Sequence, residues 1–186
     1  MTYPVFSIRP GISPVHQSTR IHAAVQQALD ERRLVGAVVL VAHNGELIHQ
    51  QAAGYADRES ARPMELTTIF RLASVSKPIV STAALALVAQ GRLDLDEDIG
   101  RWLPQFQPRL IDGSPARITA RQLLSHTAGL GYRFFEADAD GPYARAGTSD
   151  GMDSVNFSLA ENLRRIASVP LQYVPGTSWG YSLATD

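Results

Sequence analysis

The chain has no cysteine. That excludes disulfide frameworks and thiolate metal centres. Lysine is almost as scarce. Of 17 basic residues 16 are Arg, and Lys77 is the single lysine. No sign of charge dominates either: 17 basic residues against 18 acidic ones give a net charge of −1. A balanced surface recommends neither nucleic acid nor an anionic membrane as partner. No apolar run approaches the ~20 residues of a membrane-spanning helix. The opening stretch MTYPVFSIRPGISPVHQSTR lacks a basic region followed by an apolar core. It does not read as a signal peptide, so the cytoplasm is the default location. No internal repeat or low-complexity linker stands out.

What is present is enough for a folded core. The 186 residues are 45% hydrophobic, as in ordinary globular proteins. Ile21, Val25 and Leu29 recur at helical spacing, which predicts an amphipathic helix over 17–33. Gly36 to Ala42 is rich in β-branched residues, and Glu46 to Gly54 reads as its returning strand. Asn44-Gly45 between them is the preferred pair of a tight two-residue hairpin. From Ser74 the pattern becomes helical. VSTAALALVAQ forms a long apolar helix that Gly91 closes. Thr119 is an N-cap candidate for a short helix ending near His126. Ser158 and Glu161 read as a capping box opening another helix. The polar, Gly-rich stretch 136–154 reads as a long surface loop. A hairpin followed by helices predicts an α+β fold. Its organisation is expected to be a first part of an α/β lobe over 1–70 and a mainly helical lobe over 71–186.

The lysine sits in an S-x-x-K pattern, Ser74-Val75-Ser76-Lys77. Pro78 lacks an N–H and is tolerated best near a helix start, so the helix begins close to Ser74. Positions i and i+3 face each other on a helix, which lets Ser74 meet Lys77. Ser74 would also lie where the helix dipole favours developing negative charge. A serine hydroxyl is a weak nucleophile and needs a base. A lysine shielded by apolar neighbours can serve as one. The pattern alone is weak, because 15 serines in 186 residues put one there by chance about one time in twelve.

Two further segments add weight: LLSHTAGL (123–130) and PGTSWGYS (175–182). Together with FRLASVSKP, and in that order, they resemble the serine β-lactamase-related hydrolases of the class C type. That group includes D-alanyl-D-alanine carboxypeptidases, D-aminopeptidases and β-lactamase-fold esterases. The resemblance runs from about Val15 to the end of the chain. It implies a β-lactamase/transpeptidase-like fold, with Ser74 as the acylated nucleophile and Lys77 as its proton-transfer partner. Tyr181 matches the tyrosine of the family's second motif. Whether Lys77 or Tyr181 is the base stays open, since their titrations would be coupled. Trp179 and Leu183 are candidates to line the substrate pocket. No metal or organic cofactor is implied, and the expected partner is a small-molecule ester or amide.

The sequence departs from the family in two places. Leu183 stands where β-lactamases carry an asparagine that holds the substrate amide, and leucine cannot hydrogen-bond. This favours a carboxylesterase over a β-lactamase or D-amino-acid peptidase. The family's third motif (K-T-G, H-x-G or W-x-G) has no match up to Asp186. The expectation is therefore an incomplete fold whose remaining sheet strands follow residue 186. A non-catalytic penicillin-binding-like module is the alternative of a different class. Other patterns have plainer readings. Gly176 to Gly180 fits the G-x-S-x-G elbow of α/β-hydrolases around Ser178, but Pro175-Gly176 reads as a turn. Asp94, Asp96 and Asp98 hint at a calcium loop, but glycine falls one place late. His126 reads as a helix-end residue, and His43 and His49 as surface residues flanking the hairpin turn.

Overall fold

The structure, a computed structural model, describes residues 14–151, 153 and 156–182. The chain divides into two compact units, with the boundary between Arg71 and Leu72.

The first unit holds a helix and a small sheet. Helix α1 (Pro14–Asp30) precedes strands β1 (Gly36–His43), β2 (Glu46–Asp57) and β3 (Arg62–Pro63), which pair antiparallel in the order β1-β2-β3. The Ile21, Val25 and Leu29 stripe is the sheltered side of α1, with Ala28 fully inside. The helix stops at Asp30 and does not run to 33. Arg32 turns left-handed (φ 57°), and the Arg33 N–H bonds back to the Ala28 carbonyl at 2.9 Å. Asn44 and Gly45 are both left-handed (φ 51° and 83°), as a type I′ hairpin turn requires. Between Val41 and Ala42 the ladder register slips, so Val41 faces His49 and Ala42 faces Leu47.

His49 corrects the surface expectation, being only 7% exposed. Its Nδ1 meets the Ser18 hydroxyl of α1 at 2.8 Å, and its Nε2 meets Gln51 Oε1 at 3.1 Å. A polar strand face lies inside here because the helix above it supplies a polar partner. Gln51 Nε2 has no partner among the described residues.

The second unit opens with a 3-10 turn, Ala73–Val75, that runs into helix α2 (Ser76–Ala89). Pro78 is the third residue of α2, within the first turn, where no N–H is missed. The helix ends in paired backbone bonds from Gly91 to Val88 and from Arg92 to Leu87, both 2.9 Å. Short helices α3 (Ala120–Leu124) and α4 (Pro142–Arg145) and helix α5 (Leu159–Ala167) follow. Ile118, Leu130 and Leu171 are the most deeply buried apolar side chains of the core. Phe106, Tyr143, Ile166 and Val169 pack in the same cluster. Among the described residues no helix is long and apolar enough to cross a membrane.

Three local expectations change. The reciprocal capping box belongs to α3, where the Thr119 side chain accepts from the Gln122 N–H and the Gln122 side chain accepts from the Thr119 N–H. At α5 only half of the box forms. Ser158 accepts from the Glu161 N–H, while the Glu161 carboxylate turns to Arg164 and Arg165, each at 2.7 Å. Stretch 136–154 is no plain surface loop. It contains α4 and buries Tyr143, Thr148 and Ser149. Glu136 accepts the N–H groups of Tyr143 and Ala144 at the start of α4, and the Tyr143 hydroxyl accepts the Gly131 N–H at 2.7 Å. The acidic turn spends its carboxylates locally. Asp94 accepts the Asp96 N–H, Asp98 accepts the Gly100 N–H, and Asp96 forms a bidentate pair with Arg121 at 2.7 and 2.8 Å.

The Glu161 arrangement predicts a pH dependence. The guanidinium of Arg164, then that of Arg165, holds the Glu161 carboxyl down at about 2 from an ordinary value of 4.5. A depressed carboxylate stabilises the fold above its unfolded value and loses that effect as pH falls through its folded value. Thermal melts of Glu161→Gln and the parent should therefore differ most at or above pH 5. Their difference should narrow steadily toward pH 2, and a constant difference across that range would contradict the pairing.

Candidate active site

Lys77 is the only buried residue among those of α2, at 8% exposed. Its side chain enters the interior from the first helical turn. The rest of the helix is mostly apolar and half-buried or exposed, with Ile79 at 59% and Leu85 at 51%. Nζ lies over the ring of Tyr181, 5.1 Å from its centroid. A lysine inside and a tyrosine about a hundred positions later therefore share one site. A cation over an aromatic face is attracted by the ring quadrupole, more strongly when shielded from water.

Ser74 lies in the middle of the 3-10 turn, exposed, three positions before Lys77. The residue ahead of it, Ala73, is left-handed with φ 47°. That conformation costs an alanine about 1–2 kcal/mol. Strain of this kind persists only where the surroundings impose it, and it gathers at functional positions. The turn delivers Ser74 at the entry to α2, with Ser76 donating its N–H back to the Ala73 and Ser74 carbonyls.

Tyr181 is carried by irregular backbone after a tight turn. Pro175 and Gly176 (φ 88°) form the centre of that turn, closed by the Thr177 N–H on the Val174 carbonyl at 3.0 Å. Ser178 follows in irregular backbone, with no strand before it and no helix after it among the described residues. The strand-turn-helix context of a nucleophile elbow is thus missing around Ser178. Aromatic rings gather on Tyr181. Tyr132 stacks on it at 6.1 Å and 26°, and Phe135 meets it edge-on at 6.4 Å and 73°. His126 lies against it at 4.6 Å. Trp179 is 65% exposed and reaches the His126 ring at 6.2 Å. Leu183 lies outside the described residues.

Tyr132, Phe135 and the ring of His126 are site residues that sequence reasoning did not assign. His126 had a signal, LLSHTAGL, but nothing local says that a segment 55 positions later folds onto it. No group of three or more His, Cys, Asp or Glu able to hold a metal ion occurs among the described residues.

The fold and the site define a recognisable class. The chain is α+β, with Ser74 in the 3-10 turn that runs into α2 and Lys77 in the first turn of that helix. The family model for Beta-lactamase matches residues 21–186. The chain belongs to that family. It is 56% identical over 169 residues to Esterase EstB of Burkholderia gladioli, covering 91% of this chain and 43% of that protein. It is 33% identical over 104 residues to Penicillin-binding protein 4* of Bacillus subtilis. The latter match covers 56% of this chain and 22% of that protein. Among solved structures, EstCE1, a hydrolase with promiscuous acyltransferase activity, matches with a TM-score of 0.88 and 48% identity. That match covers 92% of this chain and 45% of EstCE1. D-amino acid amidase from Ochrobactrum anthropi SV3 matches at 0.61 with 28% identity, over 88% of this chain and 42% of the amidase. The chain thus spans less than half the length of these relatives.

Proposed function

We propose that this chain carries the acylating half of a serine hydrolase that acts on carboxylic esters. The observation that carries the reading is the burial of Lys77 one turn after Ser74, with its Nζ over the Tyr181 ring at 5.1 Å. Burying a lysine is costly, and a packed helix gains nothing structural from it that leucine would not supply. In the proposed reaction the Ser74 hydroxyl oxygen attacks the ester carbonyl. Its proton passes to the Lys77–Tyr181 pair, which returns it to the departing alcohol. Water then attacks the acyl-Ser74 ester, releasing the acid and restoring the hydroxyl. The backbone N–H of Ser74 is one donor for the developing oxyanion.

Identity to an esterase over 91% of the chain supports an ester substrate. So does Leu183, which cannot supply the amide contact of a β-lactam site. The exposed aromatic rings of Phe135 and Trp179 offer apolar surface beside Tyr181 for the body of a small ester. The partner is a small molecule, an ester first and an amide second.

The test is covalent labelling of the protein expressed from its complete coding sequence. A fluorophosphonate should label one serine, identified by peptide mapping as Ser74. Ser74→Ala should lose the label, and Ser178→Ala should keep it. Absence of any label would favour a binding module without catalysis. A label lost only in Ser178→Ala would make the G-x-S-x-G serine the nucleophile. Faster acylation by a fluorescent penicillin than by any ester would move the substrate to β-lactams.

A further inference from the structure

His126 holds the chain on both sides of Tyr181. Its carbonyl accepts the Gly180 N–H at 3.0 Å, and its ring Nδ1 accepts the Ser182 N–H at 3.3 Å. The ring also lies against the phenol ring between those two anchors, at 4.6 Å and 35°. The same carbonyl accepts the Tyr173 hydroxyl at 3.3 Å. Burial pushes the Tyr173 phenol up from its usual value, which keeps it a donor there. One residue at the end of α3 therefore sets the position of residues 180, 181 and 182.

The backbone makes this possible. His126 is left-handed, with φ 57°. A residue in that conformation turns its carbonyl and side chain to one segment while the helix ends behind it. Histidine and asparagine enter this region several-fold more readily than most residues. Ser182 is 3% exposed. An N–H buried that deeply has little access to water in place of Nδ1, and leaving it unpaired is costly.

We propose that His126 is a positioning residue for Tyr181, and that it works only as the neutral imidazole with its proton on Nε2. This inference rests on the reading of Tyr181 as a partner in proton transfer. The Ser182 N–H can only donate, so Nδ1 must accept. A protonated imidazole carries N–H groups on both nitrogens and turns the contact into donor against donor. It would also bring a positive charge to Tyr181, whose ring already faces Lys77 Nζ. The titratable side chains against this clamp include Tyr181 beside Ser182, Tyr173 ahead of the turn, and, on the Tyr181 ring, Lys77 from α2 and Tyr132. As pH falls through the range where imidazoles charge, the Ser182 anchor is lost and Tyr181 shifts from the line of proton transfer. A displacement near 1 Å costs about a hundredfold in rate.

Two variants separate positioning from a plain helix-end role. Asparagine tolerates the left-handed backbone, and its Oδ1 accepts an N–H from nearly the place of Nδ1, but it does not titrate. Glycine also tolerates the backbone but offers no acceptor. Each is expressed from the complete coding sequence, beside the parent and Tyr181→Phe. The readouts are Ser74 labelling by a fluorophosphonate, kcat and KM for a simple ester between pH 5 and 9, and thermal melting.

His126→Gly should lose roughly 10- to 100-fold in labelling rate and kcat, with KM within about threefold of the parent. His126→Asn should stay within about threefold at pH 8 and lose less activity than the parent between pH 8 and pH 5.5. If His126→Gly matches the parent while Tyr181→Phe is inactive, the positioning role is wrong. The same holds if a folded His126→Asn is as slow as His126→Gly, or if its acid limb coincides with the parent's. If Tyr181→Phe keeps the parent's rate, the reading of Tyr181 fails, and this inference fails with it.

Discussion

Lys77→Arg should slow acylation of Ser74 by about 10³-fold or more, the range expected for losing a positioned proton-transfer group. Arginine keeps the positive charge and can still sit over the Tyr181 ring, where Nζ now lies at 5.1 Å. It stays protonated at any pH the protein survives, so it cannot take the Ser74 proton. The substitution therefore separates two roles of the lysine, proton acceptor and fixed charge. Lys77→Met removes both and nearly conserves the volume of the buried stem. Both variants should fail to label while melting cooperatively. No other lysine in this segment can substitute, because Lys77 is the only one. Parent-like labelling in Lys77→Arg would assign the lysine a purely electrostatic role and leave Tyr181 as the base.

Gly129→Ala should cost on the order of 2–4 kcal/mol, because two penalties coincide. The residue is left-handed, at φ 81°. A Cβ there would lie 2.4 Å from the Tyr173 carbonyl oxygen. That oxygen belongs to backbone and cannot swing away. The neighbouring bond, from the Gln172 N–H to the Gly129 carbonyl at 2.8 Å, joins the segment after α3 to the one that leads to Tyr181. Gly113→Ala is the control. Its φ is 82°, and its Cβ would meet nothing within 4 Å, so only the left-handed penalty of about 1–2 kcal/mol applies. Denaturant or thermal melts of the two variants give the comparison. Equal losses would mean that the close approach at Gly129 is relaxed at no cost. Since the two segments also place His126 and Tyr181, Gly129→Ala should reduce Ser74 labelling, and Gly113→Ala should not.

Much of the architecture was legible because it rests on local rules. The Ile21, Val25 and Leu29 spacing marks the inner side of α1, and Asn44-Gly45 marks a hairpin turn that needs two left-handed residues. Gly91 marks the end of α2. Helix ends were less legible. Arg32, with no glycine to announce it, turns left-handed and stops α1 three residues early. Glu161 answered two arginines one turn away instead of the Ser158 N–H, since a carboxylate gains more from a guanidinium than from one amide. Stretch 136–154 misled through its composition. Its glycines and acids suggested a solvated loop, yet Tyr143 enters the core and Glu136 caps the helix that carries it.

The sequence by itself determined the family, through three short motifs in order. It also singled out Ser74 and Lys77 as a candidate pair, since the S-x-x-K spacing is local. The tertiary structure decided what surrounds them. It buried Lys77 while leaving most of its helix uncovered, brought Tyr181 under Lys77 Nζ, and set His126 on both peptide neighbours of Tyr181. These contacts join positions 54 and more apart in the chain. No periodicity or turn signal encodes such a distance. It is set by how the core around Leu130 and Leu171 packs the intervening segments together.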